Sequence, residues 1–253
     1  ANPNGASIVH GSVSINNGIP GVTSITNSPN AIINWQGFNI NQNEFKRFIQ
    51  QNSQSAVLNR VIGADPSQIM GQLLSNGQVY LINPNGILFG ANSVIDTAGF
   101  LASTLNLSNE DFLSGNYHFI AGDSAGDINN QGIIRTGEDG NIILIAPNIE
   151  NSGIISTEGG KITLAAGESL TVTSLDNPAT PAPRGRTWRK SVNGRSMMGP
   201  HPSDCTWTWS TKPVLSASRW VMGGHRQLSS VHPTKQLPLL QRPDAWHTEG
   251  GKC

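Results

Sequence analysis

Gly77-Gln-Val-Tyr-Leu-Ile-Asn-Pro-Asn-Gly-Ile-Leu-Phe-Gly90 is the stretch whose reading decides the fold. A β-type run, Val79 to Ile82, meets a turn, Asn83-Pro84-Asn85-Gly86, and a second apolar run, Ile87 to Phe89, follows at once. Pro84 pre-sets φ for the second position of a turn, Asn85 tolerates a left-handed backbone, and Gly86 closes the corner without steric penalty. Both runs are apolar on successive residues rather than alternating, as strands are when both of their faces are buried. Strand, rigid polar corner and strand together describe one bend of a coil.

Further along, the coil repeats. Asn130-Gln-Gly-Ile-Ile-Arg-Thr and Gly140-Asn-Ile-Ile-Leu form one unit, and Asn151-Ser-Gly-Ile-Ile-Ser-Thr and Gly160-Lys-Ile-Thr-Leu form the next. Offsets of 21 and 20 residues bring Ile133/Ile154, Ile134/Ile155, Ile142/Ile162 and Leu144/Leu164 into register as the repeat core. A fainter copy, Asn92-Ser-Val-Ile-Asp-Thr97, lies upstream. Self-similarity near 20 residues means stacked supersecondary units, each burying its face against its neighbours. The apolar runs are short and β-branched, so the units are β rungs. The fold expected is an all-β parallel β-solenoid. Rungs ~4.8 Å apart would make a rod about 40 Å long from eight or nine turns. An uncapped end invites polymerisation, and residues 1–40 are the natural N-terminal cap.

Several neighbouring segments bear on that reading. Ser7-Ile-Val9, Val13-Ser-Ile15 and Val22-Thr-Ser-Ile25 are strands punctuated by Gly and Asn turns. Residues 43–51 suit a short helix as well as a strand. Asp65-Pro66-Ser67-Gln68-Ile69-Met70 offers an N-cap and a Pro at the first helical position, which predicts a one- or two-turn helix or a wide loop. Ser108-Asn-Glu-Asp111 is another helix start.

The formal charge of zero hides a division. Residues 1–182 carry 5 Lys+Arg against 13 Asp+Glu, while residues 183–253 carry 11 against 3. Five of the six Trp and both Cys also lie in the latter segment. Three parts are expected: a β-helix over 1–176, a Pro-rich linker over 177–183, and a basic, Trp/Pro-rich tail over 184–253. Rung periodicity stops abruptly at the linker, so the tail reads as irregular or non-native sequence, such as a shifted frame. A basic, aromatic segment for nucleic acid or an acidic surface is the functional reading weighed against it. No run approaches the 18 apolar residues of a membrane-spanning helix. The chain begins Ala1-Asn2-Pro3, consistent with an N-terminal segment already removed.

Asn83-Pro84-Asn85-Gly86-Ile87 resembles the NPNGI motif of the two-partner secretion domain, the N-terminal module of filamentous-haemagglutinin-like exoproteins. Asn30-Ala-Ile-Ile-Asn-Trp35, Phe38-Asn-Ile40, Ser55-Ala-Val-Leu-Asn-Arg60, Asn76-Gly-Gln-Val-Tyr80 and Gly99-Phe-Leu-Ala-Ser-Thr104 are similar to that family's pattern, in its order. The resemblance covers residues 1–176. The NPNL motif carried by some members has no clear counterpart; Asn2-Pro3-Asn4-Gly5 is similar only locally. The resemblance implies a right-handed parallel β-helix with an N-terminal β cap and extra-helical strands. It implies export through the periplasm of a Gram-negative bacterium to the surface or the medium, as the secretion signal of a large adhesin with a role in virulence. The implied partner is an outer-membrane β-barrel transporter whose periplasmic POTRA domains bind the chain, with residues 83–87 as the recognition motif. Contacts with host cells would belong to C-terminal regions. No cofactor and no nucleic acid is implied.

The residues themselves point away from catalysis. Polysaccharide-active β-helix enzymes and carbohydrate-binding modules are the alternative, and the former need convergent carboxylates. The candidates Asp123/Asp127, Glu138/Asp139 and Glu110/Asp111 all sit in turn-like segments, where solvated corners are the ordinary explanation. His201 and Cys205 have loose ligand spacing without a second pair, and Cys253 is terminal. His10 and His118 stand alone, and Trp35 reads as a core or cap residue. No catalytic residue and no metal site is expected.

Overall fold

The computed structural model of the chain describes residues 3–123, 125–167 and 169–172, with five short strands between 189 and 222. The N-terminal cap holds β1 (Ser7–His10), β2 (Val13–Ile19) and β3 (Val22–Asn27). The coil then runs through β4 (Ala31–Trp35), β5 (Phe45–Ile49), β6 (Ala56–Val61) and β7 (Ser67–Ile69). It continues through β8 (Gln72–Ser75), β9 (Gln78–Ile82), β10 (Ile87–Phe89), β11 (Val94–Thr97) and β12 (Gly99–Ser103). An excursion follows: β13 (Asn106–Leu107), the helix α1 (Asn109–Ser114) and β14 (Tyr117–Ile120). The coil resumes with β15 (Ile128–Asn130), β16 (Ile133–Glu138), β17 (Ile142–Ala146), β18 (Ile149–Asn151), β19 (Ile154–Glu158) and β20 (Ile162–Ala166). After it comes β21 (Ser169–Val172).

Three parallel sheets wrap one core, which makes the fold a parallel β-helix. The first sheet stacks β4, β6, β9, β12, β17 and β20. The second stacks β3, β5, β8, β11, β16 and β19. The third, shorter sheet stacks β7, β10, β15 and β18. Six parallel strands in each of the long sheets is fewer than the eight or nine rungs expected. The shortfall has two causes: residues 104–127 leave the coil, and the first thirty residues are largely spent on the cap. At that end β1 pairs antiparallel with β4, and β2 antiparallel with β3. Reversed strands end the parallel stack.

The apolar runs have the double burial that their sequence indicated. On the first sheet Ile33, Val57, Val79, Leu81, Phe100, Ala102, Ile142 and Leu144 point into the coil. Their neighbours Ile32, Leu58, Tyr80, Leu101, Ile143 and Ala165 face outward into a second core. The excursion covers that outer face: β13, β14 and β21 form an antiparallel sheet whose Leu107, Phe119 and Leu170 are buried there, with Phe112 of α1. Tyr80 meets the rings of Phe112 and Tyr117 edge-on at 5.5 and 5.8 Å. Burial and the neighbouring Tyr117 hydroxyl hold the Tyr80 phenol well above its ordinary pKa.

Helix α1 forms where expected. Ser108 Oγ accepts from the Asp111 N–H at 3.0 Å, and Gly115, with φ of 72°, closes the C-terminal end. Residues 43–51 resolve as strand β5. The helix or wide loop expected after Asp65 is not there. Residues 67–69 and 72–75 are strands, because Ser67 and Ile69 pair in register with Ile87 and Phe89 on the next rung. Interior amides also stack: Asn130 and Asn151, both fully buried and in register, join through Nδ2···Oδ1 at 2.7 Å.

Residues 177–183, His201, Cys205 and Cys253 lie outside the described residues. Five short strands of the tail are described. Thr206–Trp209, Val214–Leu215 and Trp220–Met222 run antiparallel against β20, β19 and β18, and Arg189–Val192 pairs antiparallel with Arg195–Met198. Thr, Val and Trp favour extended backbone, and a terminal rung offers unpaired edges.

Candidate functional site: the Asn83–Ile87 corner

Between β9 and β10 the chain turns from the first sheet into the third. Asn83 is fully buried there, and its side chain is paired throughout. Nδ2 donates to the Asp65 carbonyl and to Ser67 Oγ, each at 3.0 Å, on the preceding rung. Oδ1 accepts from the backbone N–H and the side-chain amide of Asn85, both at 3.0 Å. The Asn83 backbone N–H donates to Ser103 O at 3.0 Å on the following rung, and its carbonyl accepts from Gly86 N–H at 3.2 Å. One side chain therefore defines the turn and fastens it to the rung below.

The corner is also held from above. Gly126 N–H donates to Pro84 O at 2.7 Å, and Ile87 N–H donates to Asp127 O at 3.0 Å. A Cβ on Gly126 would lie 2.4 Å from the Asn85 carbonyl, so only glycine permits this approach. The left-handed position belongs to Gly86, with φ of 120°, and Asn85, which would tolerate such a backbone, does not adopt it. Asn85 instead reaches down, its Nδ2 donating to Gly63 O at 2.8 Å. Within the motif Asn85 is exposed, Pro84 is half-buried, and Asn83, Gly86 and Ile87 are buried.

The repeat residues separate by face. Ile134, Ile142, Leu144, Ile155, Ile162 and Leu164 lie in the interior core. Ile133 and Ile154 pair with each other on the outer face of the second sheet, half-buried. The carboxylates weighed as catalytic candidates do not converge. Glu110 and Asp111 occupy the first turn of α1, where they complement the helix N-terminus. Asp127 accepts from Asn148 Nδ2 at 2.8 Å. Glu138 stacks in register with Glu158. Among the described residues no group of three His, Cys, Asp or Glu side chains has metal-binding geometry. Trp35 is a core residue that donates from Nε1 to Asn59 Oδ1 at 3.0 Å, and His10 Nδ1 lies 3.0 Å from Asn30 O.

Three polar residues escaped the sequence reading. Arg60 donates to Asn34 Oδ1 at 3.3 Å, to Asn109 Oδ1 at 2.6 Å and to the Leu107 carbonyl, so it ties the excursion to the first sheet. Burial lowers its pKa. Gln50 donates from its backbone N–H to Asn76 Oδ1 and accepts from Asn76 Nδ2 at its carbonyl, both at 2.8 Å, in a second amide-held corner. Lys46 is buried inside the coil. A lone Arg after an apolar run was the only trace of the first, and a Gln and an Asn 26 residues apart the only trace of the second.

The chain is similar to known proteins in sequence and in fold. The family model described as TPS secretion domain matches residues 1–199. The chain is 32% identical over 182 residues to the heme/hemopexin-binding protein of Haemophilus influenzae strain ATCC 51907 / DSM 11121 / KW20 / Rd, covering 69% of this chain and 20% of that protein. A second Haemophilus influenzae protein of that name is 42% identical over 92 residues, covering 36% of this chain and 10% of it. The chain thus spans about a fifth or less of the length of these relatives. Among solved structures, the HMW1 secretion domain from Haemophilus influenzae matches with a TM-score of 0.68 at 45% identity, over 70% of this chain and 48% of that one. No helix among the described residues is long and apolar enough to cross a membrane. The chain belongs to the TPS secretion domain family, whose members are secretion domains of two-partner secretion exoproteins exported through the periplasm with an outer-membrane transporter as partner.

Proposed function

We propose that this domain is the secretion signal of a large adhesin- or haemagglutinin-like exoprotein, bound before it winds by the POTRA domains of its transporter. Winding then starts from the Asn83–Ile87 corner outside the cell. The observation that carries this reading is the burial of Asn83 at 0% exposure, with its side-chain amide bonded both to the preceding rung and to Asn85. A partner meets that amide only while the chain is extended. Transporter binding and coil closure are therefore mutually exclusive at Asn83, and folding itself releases the partner. An extended segment adding to a POTRA sheet edge supplies the recognition mode. Contacts with host cells fall to the portion beyond the aligned fifth of the relatives, and the domain itself has no enzymatic role.

The test is Asn83→Ala beside Asn85→Ala. Removing the buried amide strands the Asp65 carbonyl and the Asn85 N–H, which costs about 2–3 kcal/mol. Asn83→Ala should lower both the melting temperature and the secreted fraction, while Asn85→Ala, at an exposed position, moves both less. An Asn83→Ala protein with wild-type thermal stability and impaired secretion would remove the nucleating role and leave recognition alone.

A further inference from the structure

Among the described residues Lys46 is the one charged side chain in the buried set, at 1% exposure. It points inward from β5, in register between Thr23 of β3 and Leu73 of β8. The column it belongs to continues through Leu73, Ile95, Ile134 and Ile155, all fully buried and aliphatic. Nζ donates to Thr23 Oγ1 at 3.0 Å and lies 3.8 Å from Glu44 Oε2, too far for a hydrogen bond. That carboxylate oxygen already accepts from the Asn41 N–H at 2.9 Å. An ammonium with three donors thus occupies an apolar stack with one close acceptor and one distant counter-charge.

Burying a charge costs more than such partial pairing returns, and hydrophobic side chains of similar volume often stabilise a fold at such positions. Every later rung in the column has the stabilising choice. The exception stands beside the N-terminal cap, where the coil begins. We propose that Lys46 is a built-in brake on winding: its buried charge weakens the first rung so that the chain stays extended until it has crossed the outer membrane. This rests on the reading that export precedes folding.

The full chain carrying Lys46→Met tests it, because Met matches Lys in length and removes the charge together with the bond to Thr23. The melting temperature should rise by about 3–6 °C, refolding from urea should accelerate, and the secreted fraction should fall several-fold at equal synthesis. Thr23→Val should destabilise the Lys46 protein and leave Lys46→Met unmoved or more stable, since Thr23 Oγ1 bonds the ammonium and loses that partner in Lys46→Met.

Alkaline titration adds a readout that packing alone would not move. Burial lowers the Lys46 pKa and the Glu44 carboxylate opposes that shift; Glu44 is the titratable neighbour, as Thr23 and Leu73 fill the facing positions. The unfolded chain then holds more protons between the folded pKa and about 10.4, so wild-type stability rises with pH across that window. Lys46→Met should lack the rise. An unchanged or lower melting temperature in Lys46→Met would overturn the proposal, as would a higher one with undiminished secretion. Failure of the wild-type chain to be exported at all would defeat the secretion reading instead, and the brake with it, whatever the melting data show.

Discussion

The two long sheets share one interior and differ in what lies outside them. The first sheet carries Ile32, Leu58, Tyr80, Leu101 and Ile143 on its outer face, and the excursion buries them all. The second carries Val22, Phe45, Gln72, Val94, Ile133 and Ile154 at one outward level, half-buried to exposed, with Phe45 at 38%. Beside them an Arg135–Asp96 pair crosses between rungs with its side chains 54% and 40% exposed. Winding the coil is thus one interaction, shared by both sheets. Covering one face is a second, confined to the first sheet, and it depends on residues that are not part of any rung.

Breaking the covered face should cost most. Phe119→Ala empties the middle of the second core and should destabilise the fold by about 3–5 kcal/mol, seen as a shift of the urea midpoint. Arg60→Ala acts on the same layer from its edge. Losing the bonds to Asn109 and Leu107 should cost about 1–3 kcal/mol and raise hydrogen exchange over residues 105–120 while β16 and β19 keep their protection. On the bare sheet, Arg135→Ala should change stability by less than about 0.5 kcal/mol, because solvent screens the pair at that exposure. If Arg135→Ala proved as damaging as Phe119→Ala, the contrast between the two faces would fail.

Much of this was visible in local pattern, and what was hidden depended on distant contacts. Ile142-Ile-Leu-Ile-Ala146 announces a strand buried on both faces, and the 21- and 20-residue offsets match the observed pairing of Ile134 with Ile155 and Ile142 with Ile162. What buries the second face was not visible, since Phe119 and Leu170 lie far from Tyr80 in sequence. Asp65-Pro66 looked like a helix start because the competing bond, from Asn83 Nδ2 to the Asp65 carbonyl, comes from 18 residues away. Asn85 tolerates a left-handed backbone, yet Gly86 takes that position and the Asn85 side chain bonds Gly63 on the rung below. Lys46 carried no signal: a lysine beside Arg47 in a run with Phe45 and Phe48 reads as a solvated residue, and only the strand pleat turns it inward.

The paired amides of Asn130 and Asn151 have a consequence for how such a coil grows. The Asn130 amide reaches that of Asn151 across one strand spacing, with Gly132 N–H and Gly153 O taking up the groups that remain. A slip of one residue would turn Asn151 outward and bring Glu150 or Ser152 opposite Asn130, so that the amide-to-amide bond is lost. A correctly placed turn is the arrangement that returns both hydrogen bonds. The pair therefore checks the register of the one turn that carries Asn151 against the turn that carries Asn130, while the levels before it, Phe89 and Ile69, are apolar.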